Sequence, residues 1–345
     1  MLTYARLLTL ALALGGAFFF QWLNVPLPFL FGPMAVCLMA ALAGVRLQGM
    51  GQVSVAARSV LGVAVGASIT PALVGQLPGM AASVALVPFY ILLIGLLGVP
   101  FFYRICRFDL VTSYYASMPG GLQDMLIFGE EAGADVRALS LIHATRVLVV
   151  IVLVPFVITH AYGLEISRPI GAPISELPMS EIALMAFAAI LGWKGGERIG
   201  LFGAAILGPL LVAAVLSLTG ILHMRPPKEA LLFAQFFIGI GVGVQYLGVT
   251  MKELRRDVLA GMAFAVILAA TTAGFTMLIG QFGVAGQTEI FLAYAPGGQA
   301  EMAVLAIAAG ADLGFVVIHH MTRLILVITG APVALRLLRG LIGRR

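Results

Sequence analysis

Residues 119–146 read PGGLQDMLIFGEEAGADVRALSLIHATR, and residues 296–323 read PGGQAEMAVLAIAAGADLGFVVIHHMTR. Both stretches contain the same motifs in the same order: Pro-Gly-Gly, an acidic residue followed by Met, Gly-Ala-Asp, and His-x-Thr-Arg. The offset between the copies is 177 residues throughout. A repeat of this length, with no insertion between its motifs, indicates that one half of the chain was duplicated and that both halves kept the same polar feature.

The composition of the chain is typical of a membrane protein. Of its 345 residues, 61% are hydrophobic and 10% are charged, and the mean hydropathy is +1.08. Soluble domains carry a much larger charged fraction. The net charge of +5 comes from basic residues in short loops and near the C-terminus, not from one basic stripe. These residues indicate membrane topology and argue against nucleic-acid binding. We therefore expect an all-α polytopic membrane protein that has the lipid bilayer as a partner.

Apolar segments that can cross a hydrocarbon core of ~30 Å fill both halves of the chain. The hydropathy pattern predicts spans at about 6–23, 27–45, 53–73, 80–103 and 137–160, then at about 181–193 with some extension, 199–222, 229–249, 258–281 and 313–336. The repeat predicts two halves, residues 1–160 and 181–345, joined by a Pro-rich linker at 161–180. The two halves are expected to form one integrated membrane domain.

Each Pro-Gly-Gly motif lies in the middle of a segment that is too polar for a simple span, at 108–135 and at 285–312. Such a segment either crosses the membrane as a broken helix or enters it and returns. With both termini in the cytoplasm, the re-entrant arrangement places more of the 20 Lys and Arg residues in cytoplasmic loops, as membrane proteins generally do. It also gives an odd number of crossings per half. The prediction is therefore about ten transmembrane helices as two inverted repeats, each with a broken re-entrant hairpin.

Non-helical backbone at membrane depth must be enclosed by protein or line a water-filled cavity, because lipid offers no hydrogen bonds. Pro interrupts the helix, and the paired Gly residues allow a ligand or another backbone to approach closely. The repeated polar residues are thus the candidate substrate- or ion-binding residues. They are Pro119, Gly120, Gly121, Asp124, His143, Thr145 and Arg146 in the first half, and Pro296, Gly297, Gly298, Glu301, His320, Thr322 and Arg323 in the second.

Two interpretations of the charged candidates remain open. An arginine inside a span costs about 2.5–3.5 kcal/mol and needs partners, and Asp124 and Glu301 are the obvious carboxylates. Each arginine either fixes its hairpin through a buried ion pair or balances the charge of a transported solute. The acidic residues lie in the first turn of a new half-helix, so they either cap that helix or take part in binding. The repeated histidines are packing residues or proton carriers. His319 has no counterpart in the first half and is not a candidate.

The duplicated motifs resemble the AbrB family of bacterial inner-membrane proteins, in which this half-length unit occurs twice. The resemblance extends over essentially the whole chain and implies a multi-pass protein of the inner (plasma) membrane. Members carry names that refer to regulation of gene expression or to ammonia monooxygenase. The chain has five His and no spacing typical of metal ligands, so we expect no metal, no cofactor and no enzymatic activity. It also shows no output domain, so any effect on gene expression is expected to be indirect.

Inverted repeats with broken helices are typical of secondary transporters. The sequence therefore favours alternating-access transport of a small anionic or zwitterionic solute, with H+ or Na+ as the coupling ion. The alternative is a membrane-embedded sensor or regulator that binds the same solute without moving it. An enzyme of the monooxygenase type is the third choice. A homo-oligomer is compatible with each of these functions.

Overall fold

The computed structural model describes residues 3–25, 27–163, 171–201 and 203–342 of the chain. Within these ranges the protein is helical, and no strand occurs among the described residues. Helices are expected because each apolar run must satisfy its backbone hydrogen bonds internally when it lies in lipid. The all-α prediction is confirmed.

Sixteen α-helices follow one another along the described chain. They are α1 (Tyr4–Trp22), α2 (Pro28–Leu42), α3 (Gln52–Gly66), α4 (Pro71–Ala85), α5 (Val87–Pro100), α6 (Leu110–Ser117), α7 (Leu122–Ala132), α8 (Val136–Ala161), α9 (Met179–Arg198), α10 (Ala204–Leu218), α11 (Lys228–Gly243), α12 (Met251–Glu253), α13 (Leu259–Gly280), α14 (Gln287–Tyr294), α15 (Gln299–Ala309) and α16 (Leu313–Ile342). Short π-helical turns follow α5 and α12.

Six helical segments in the described chain are long and apolar enough to cross a membrane. They are Tyr4–Trp22, Pro71–Ile105, Val136–Ala161, Lys228–Tyr246, Met251–Gly280 and Leu313–Leu337. Three shorter apolar helices, α2, α3 and α10, also coincide with predicted spans. Every predicted span therefore contains a helix. The count of ten crossings and the inverted orientation of the second half stay predictions.

The repeated Gly-Ala-Asp motif is the connection between a half-helix and the long helix that follows it. Gly133 ends α7 with a positive φ of 84°, a conformation that glycine adopts without steric cost. Asp135 then begins α8, and its carboxylate accepts a hydrogen bond from the N–H of Ala138 at 3.0 Å. In the second half Gly310, with φ of 65°, occupies the same position between α15 and α16. The motif thus ends and restarts a helix beside each Pro-Gly-Gly break.

The contacts within the chain divide it into two compact units, and each unit contains segments from both repeats. Unit 1 comprises Met1–Pro78, Gly163–Val249 and Ala303–Gly314, and unit 2 comprises Gly79–Tyr162, Thr250–Met302 and Phe315–Arg345. The boundaries of the repeats in the sequence therefore differ from those of the units in the fold. Residues 164–170 of the predicted linker lie outside the described residues, and its described remainder includes a 3-10 turn at Ile174–Glu176.

Unit 1 contains the same helix crossing twice. The helices α1 and α2 meet where Gly16 faces Gly32, and α9 and α10 meet where Gly192 faces Gly208. A Cβ on Gly16 would lie 2.5 Å from the carbonyl oxygen of Gly32, so the two backbones are in direct contact. Small residues allow such close approach of helices in membranes.

A second pair of glycine contacts in unit 1 follows the repeat. Gly62 and Gly66 pack α3 against the backbone of α10, and Gly239 and Gly243 pack α11 against the backbone of α2. Each helix pair therefore joins one repeat to the other. The Gly-x-x-x-Gly spacing of these helices therefore serves close helix packing.

Candidate functional site

The first Pro-Gly-Gly break separates α6 from α7 inside unit 2. Helix α6 ends at Ser117 and α7 begins at Leu122, and Pro119 and Gly120 between them are buried. Carbonyl groups at the end of a helix have no partner within the helix, so other groups must bind them. The break therefore presents buried acceptors at the end of α6.

Arg146 of α8 binds these acceptors. Its Nη1 donates to the carbonyl oxygen of Met118 at 2.8 Å, and its Nη2 donates to that of Gly120 at 2.7 Å. One turn earlier on the same helix face, Nε2 of His143 donates to the carbonyl oxygen of Tyr115 at 3.1 Å. Arg146 is 2% exposed, and His143 is completely buried. Two side chains of α8 thus hold the end of α6.

The second half repeats this arrangement atom by atom. Nη1 of Arg323 donates to the carbonyl oxygen of Ala295 at 2.8 Å, and Nη2 donates to that of Gly297 at 3.2 Å. Nε2 of His320 donates to the carbonyl oxygen of Leu292 at 2.9 Å. Every donor and acceptor here corresponds to its counterpart in the first half at the offset of the sequence repeat. The repeated His-x-Thr-Arg motif is therefore a clamp on each break.

The two clamps differ in how the histidine and arginine interact. In the second half, Nη2 of Arg323 also donates to Nδ1 of His320 at 3.1 Å. In the first half, Nδ1 of His143 and Nε of Arg146 are buried without a hydrogen-bond partner. The first clamp thus leaves polar groups unsatisfied, which is costly inside a protein unless another group binds there.

Each acidic residue lies against the glycine of its own break. A Cβ on Gly121 would lie 2.7 Å from Oδ2 of Asp124, and a Cβ on Gly298 would collide with the carboxylate of Glu301. Asp124 is 5% exposed and Glu301 is half-buried, each in the first turn of its half-helix. A negative charge there is stabilised by the helix dipole. The capping interpretation is supported.

Main-chain carbonyl oxygens, and not the expected carboxylate of Asp124, bind Arg146. The partners of Arg146 are two carbonyl oxygens, and those of Arg323 are carbonyl oxygens and His320. The physical reason is that a helix break creates strong acceptors in the main chain. The C-terminal end of a helix carries a partial negative charge, which attracts the guanidinium.

The first glycine of each Pro-Gly-Gly motif lies against a methionine of the following half-helix. A Cβ on Gly120 would lie 2.6 Å from Cε of Met125, and one on Gly297 would lie 2.6 Å from Cε of Met302. Both methionines are completely buried. The absence of a Cβ there leaves room for the methionine side chain of the following half-helix.

The other candidate residues have packing roles in the described structure. Thr145 of α8 is completely buried and packs against Gly261 of α13. A Cβ placed on Gly261 would lie 3.0 Å from the Cβ of Thr145. Thr322 is half-buried on α16, and Pro296 is buried at the second break. They stay binding candidates by prediction alone.

Tyr90 links the two clamps within unit 2. It is completely buried, its hydroxyl hydrogen-bonds to Oγ1 of Thr272 at 2.7 Å, and its ring meets that of Tyr294 edge-to-face at 5.1 Å. Tyr90 lies within electrostatic range of both Arg146 and Arg323, and the charge of Arg323 acts on Arg146. The sequence analysis missed Tyr90, whose only signal is a hydroxyl in an otherwise apolar helix.

The electrostatics of the site favour a negative ligand. Both guanidinium groups are buried, and their partners carry no net charge. Of the five N–H donors of a guanidinium, Arg146 uses two. A buried cation without a counter-charge is costly, and a planar guanidinium binds carboxylate or phosphate groups through paired hydrogen bonds. The arrangement can therefore receive an anion.

Comparisons with known proteins identify the family of this chain. Residues 29–339 match the family model described as "Transition state regulatory protein AbrB". The chain is 25% identical over 302 residues to protein YhjN of Bacillus subtilis (strain 168), covering 83% of this chain and 78% of the relative. It is 26% identical over 338 residues to "Putative regulator AbrB" of Escherichia coli (strain K12), covering 95% of this chain and 93% of the relative. Because the family model covers nearly the whole chain, this helical membrane protein belongs to the AbrB family.

Proposed function

We propose that this protein is a secondary transporter that binds a small anionic solute at Arg146 and Arg323 and carries it across the membrane by alternating access. The solute class includes zwitterions that present a carboxylate. One observation carries the proposal: two buried arginines, each acting on a neutral helix break, lie within electrostatic range of each other. Their mutual repulsion is relieved when an anion binds between their charges.

The broken helices support transport over static binding. Carbonyl and N–H groups released from a helix can form bonds with a solute and exchange them again, and transporters place such groups at their binding sites. Here the arginines bind the same carbonyls that a moving hairpin would need to release. We place the protein in the inner (plasma) membrane of a bacterium with both termini in the cytoplasm, as the distribution of Lys and Arg predicts.

The first experiment identifies the anion. Purified protein in detergent is heated with a panel of acetate, pyruvate, succinate, glutamate, sulfate and inorganic phosphate, and its thermal stability is recorded. A bound ligand at 100 times its Kd stabilises the folded state by about 2.7 kcal/mol, so a ligand of this site raises the unfolding temperature measurably. The control is a salt of the same cation, at matched ionic strength, that lacks the test anion. No stabilisation by any anion would contradict the anion site.

The second experiment separates transport from sensing. The stabilising anion, isotopically labelled, is offered to proteoliposomes that contain the protein and to liposomes without it. Accumulation in the proteoliposomes supports transport. Binding without flux supports the alternative, a membrane-embedded regulator, which the name of the Escherichia coli relative suggests. Such a regulator would pass its conformation to a separate partner, and we propose no direct contact with nucleic acid.

An enzymatic role is the least supported of the three. Among the described residues, no group of three or more His, Cys, Asp or Glu side chains is arranged to hold a metal ion. The repeated His and Arg residues of unit 2 instead bind main-chain carbonyls. We therefore propose that the protein is not an enzyme and uses no cofactor.

Neutralising the acidic residues tests their capping role. We expect Asp124→Asn and Glu301→Gln to change the affinity for the stabilising anion by less than about threefold, because each carboxylate lies in the first turn of its own half-helix and the arginines bind main-chain carbonyls. Each should lower the free energy of unfolding by about 0.3–1 kcal/mol through the lost helix-dipole interaction. Isothermal titration calorimetry and thermal unfolding measure the two effects. Loss of flux with retained binding would instead assign the carboxylates to a coupling ion.

A further inference from the structure

His319 lies in a hydrogen-bonded cluster of unit 2 that the proposed anion site does not use. The side chain is completely buried. Its Nδ1 lies 2.8 Å from the carbonyl oxygen of Phe315, and its Nε2 lies 3.0 Å from Oγ of Ser83. That Oγ also lies 2.9 Å from the carbonyl oxygen of Met80. The ring of Tyr294 packs against His319 at 5.5 Å, and its hydroxyl donates to the carbonyl oxygen of Ser83.

The hydrogens available to this cluster depend on the protonation of His319. Nδ1 must carry a hydrogen, because its carbonyl partner only accepts. A serine hydroxyl has one hydrogen, so beside a neutral imidazole Ser83 can donate to Nε2 or to Met80, but not to both. When Nε2 is also protonated, it donates to Ser83, and Ser83 donates to Met80. All three contacts are then hydrogen bonds at the same time.

We propose that His319 and Ser83 form a proton-binding site, and that this site couples anion movement to protons. The coupling rests on the proposed transport function, whereas proton binding does not. A proton from water adds to Nε2 of His319, the imidazole becomes an imidazolium, and the Ser83 hydroxyl rotates from Nε2 to the carbonyl oxygen of Met80. Release reverses these steps. Neither state leaves a ring nitrogen without a partner, so both are accommodated by one hydroxyl rotation.

The two repeated histidines lack this freedom. Nε2 of His320 donates to Leu292, and its Nδ1 accepts from Arg323, so a second proton would set two N–H groups against each other. Nε2 of His143 donates to Tyr115, and its buried Nδ1 has no acceptor for a second proton. The hydrogen bonds therefore hold both rings in the neutral Nε2–H form.

The proton site occurs in one repeat only. At the offset of the sequence repeat, Ile142 corresponds to His319 and Ala260 corresponds to Ser83. The symmetric arginine clamps thus share a single protonatable pair. One proton for each bound solute is the stoichiometry that this arrangement predicts.

Proton and anion binding are expected to favour each other. Helix α4 presents Ser83 to His319, α14 presents Tyr294, and α16 itself carries His320 next in sequence and Arg323 one turn later. The carbonyl oxygen of Tyr294 lies 3.5 Å from Nη1 of Arg323, so one residue touches both sites. A protonated His319 adds positive charge beside the clamp and strengthens anion binding. By linkage, the anion strengthens proton binding by the same factor.

Proton binding is tested without any solute by NMR of protein labelled with ¹⁵N-histidine. The variant His319→Gln assigns the signals by removing one set. We expect His319 to change from the neutral Nδ1–H form to the doubly protonated form as the pH is lowered over the range in which the protein stays folded. Ser83→Ala should weaken proton binding about tenfold, because the charged ring loses a hydrogen bond. A ring that stays neutral throughout, or one whose titration is unchanged in Ser83→Ala, overturns the proposal.

Coupling is tested in proteoliposomes that contain a pH-sensitive dye, with the stabilising anion from the panel as the probe. In the wild type, inward movement of the anion should acidify the interior. His319→Gln should bind the anion and lose this acidification. The matched control is His160→Gln, which changes an exposed histidine of the same unit and should leave acidification unchanged.

The outcomes of the two experiments separate the two proposals. If the wild type moves no anion but His319 titrates as expected, the transport function is wrong and the proton site stands. If the wild type moves the anion and His319→Gln still acidifies the interior to the same extent, the coupling is wrong and transport stands.

Discussion

Arg323→Ala is expected to weaken anion binding about 100-fold and to reduce flux below detection. The substitution removes one of two buried positive charges and the donors to the carbonyl oxygens of Ala295 and Gly297. A hydrogen bond to a charged group contributes about 1.5–3 kcal/mol, and about 2.8 kcal/mol corresponds to two orders of magnitude in Kd. Calorimetric titration with the stabilising anion measures binding, and labelled uptake in proteoliposomes measures flux. Arg146→Ala should have an effect of the same order.

Two further variants separate charge from fold. Arg323→Gln keeps an amide donor for one carbonyl, so it should unfold less readily than Arg323→Ala while it still loses the anion. Arg323→Lys keeps the charge, but a single ammonium cannot hold both carbonyls as a planar fork does, so partial binding is expected. The control is Arg137→Ala, which breaks an exposed ion pair with Glu253 at 2.8 Å and should cost less than about 1 kcal/mol. Unchanged affinity in Arg323→Gln would show that the arginine only holds the hairpin.

The sequence predicted the breaks because their causes are local. Proline cannot continue a helix, paired glycines leave the backbone free, and Gly-Ala-Asp ends one helix and caps the next. Each of these signals lies within a few residues of its effect. The half-helices α6, α7, α14 and α15 accordingly begin and end beside the motifs. The spacing of His143 and Arg146 likewise placed both side chains on one face of α8, where the structure has them.

The same reasoning could not identify the partners of the arginines. Counting charges suggested carboxylates, because a sequence does not show which main-chain carbonyls a break leaves unpaired. Tyr90, Ser83 and His319 each contact Tyr294, and Ser83 contacts His319, across long separations in the chain. All three residues differ from their counterparts in the other repeat, so no pattern connects them. The division into two units could not be predicted from the sequence for a similar reason. It depends on which helices of one repeat pack against helices of the other, and that is a long-range property.

Gly16→Ala is expected to lower the free energy of unfolding by about 1–3 kcal/mol. A Cβ at this position would lie 2.5 Å from the carbonyl oxygen and 2.8 Å from the carbonyl carbon of Gly32. These atoms belong to the backbone of α2, so they cannot rotate away as a flexible side chain would. The helices must separate, and the close contact that stabilises them in a membrane is lost. Gly192→Ala should behave in the same way at the equivalent crossing of α9 and α10.

The adjacent residue of the same helix provides the control for this prediction. Gly15 is exposed, and a Cβ placed on it meets nothing within 4 Å, so Gly15→Ala gains helix propensity of up to about 1 kcal/mol without any collision. The two neighbouring substitutions should therefore shift thermal unfolding in detergent in opposite directions. Gly195→Ala and Gly192→Ala form the corresponding pair on α9. Equal shifts of the unfolding temperature in Gly15→Ala and Gly16→Ala would contradict the backbone contact. If the paired substitutions differ at one crossing and not at the other, the packing is not duplicated in both repeats.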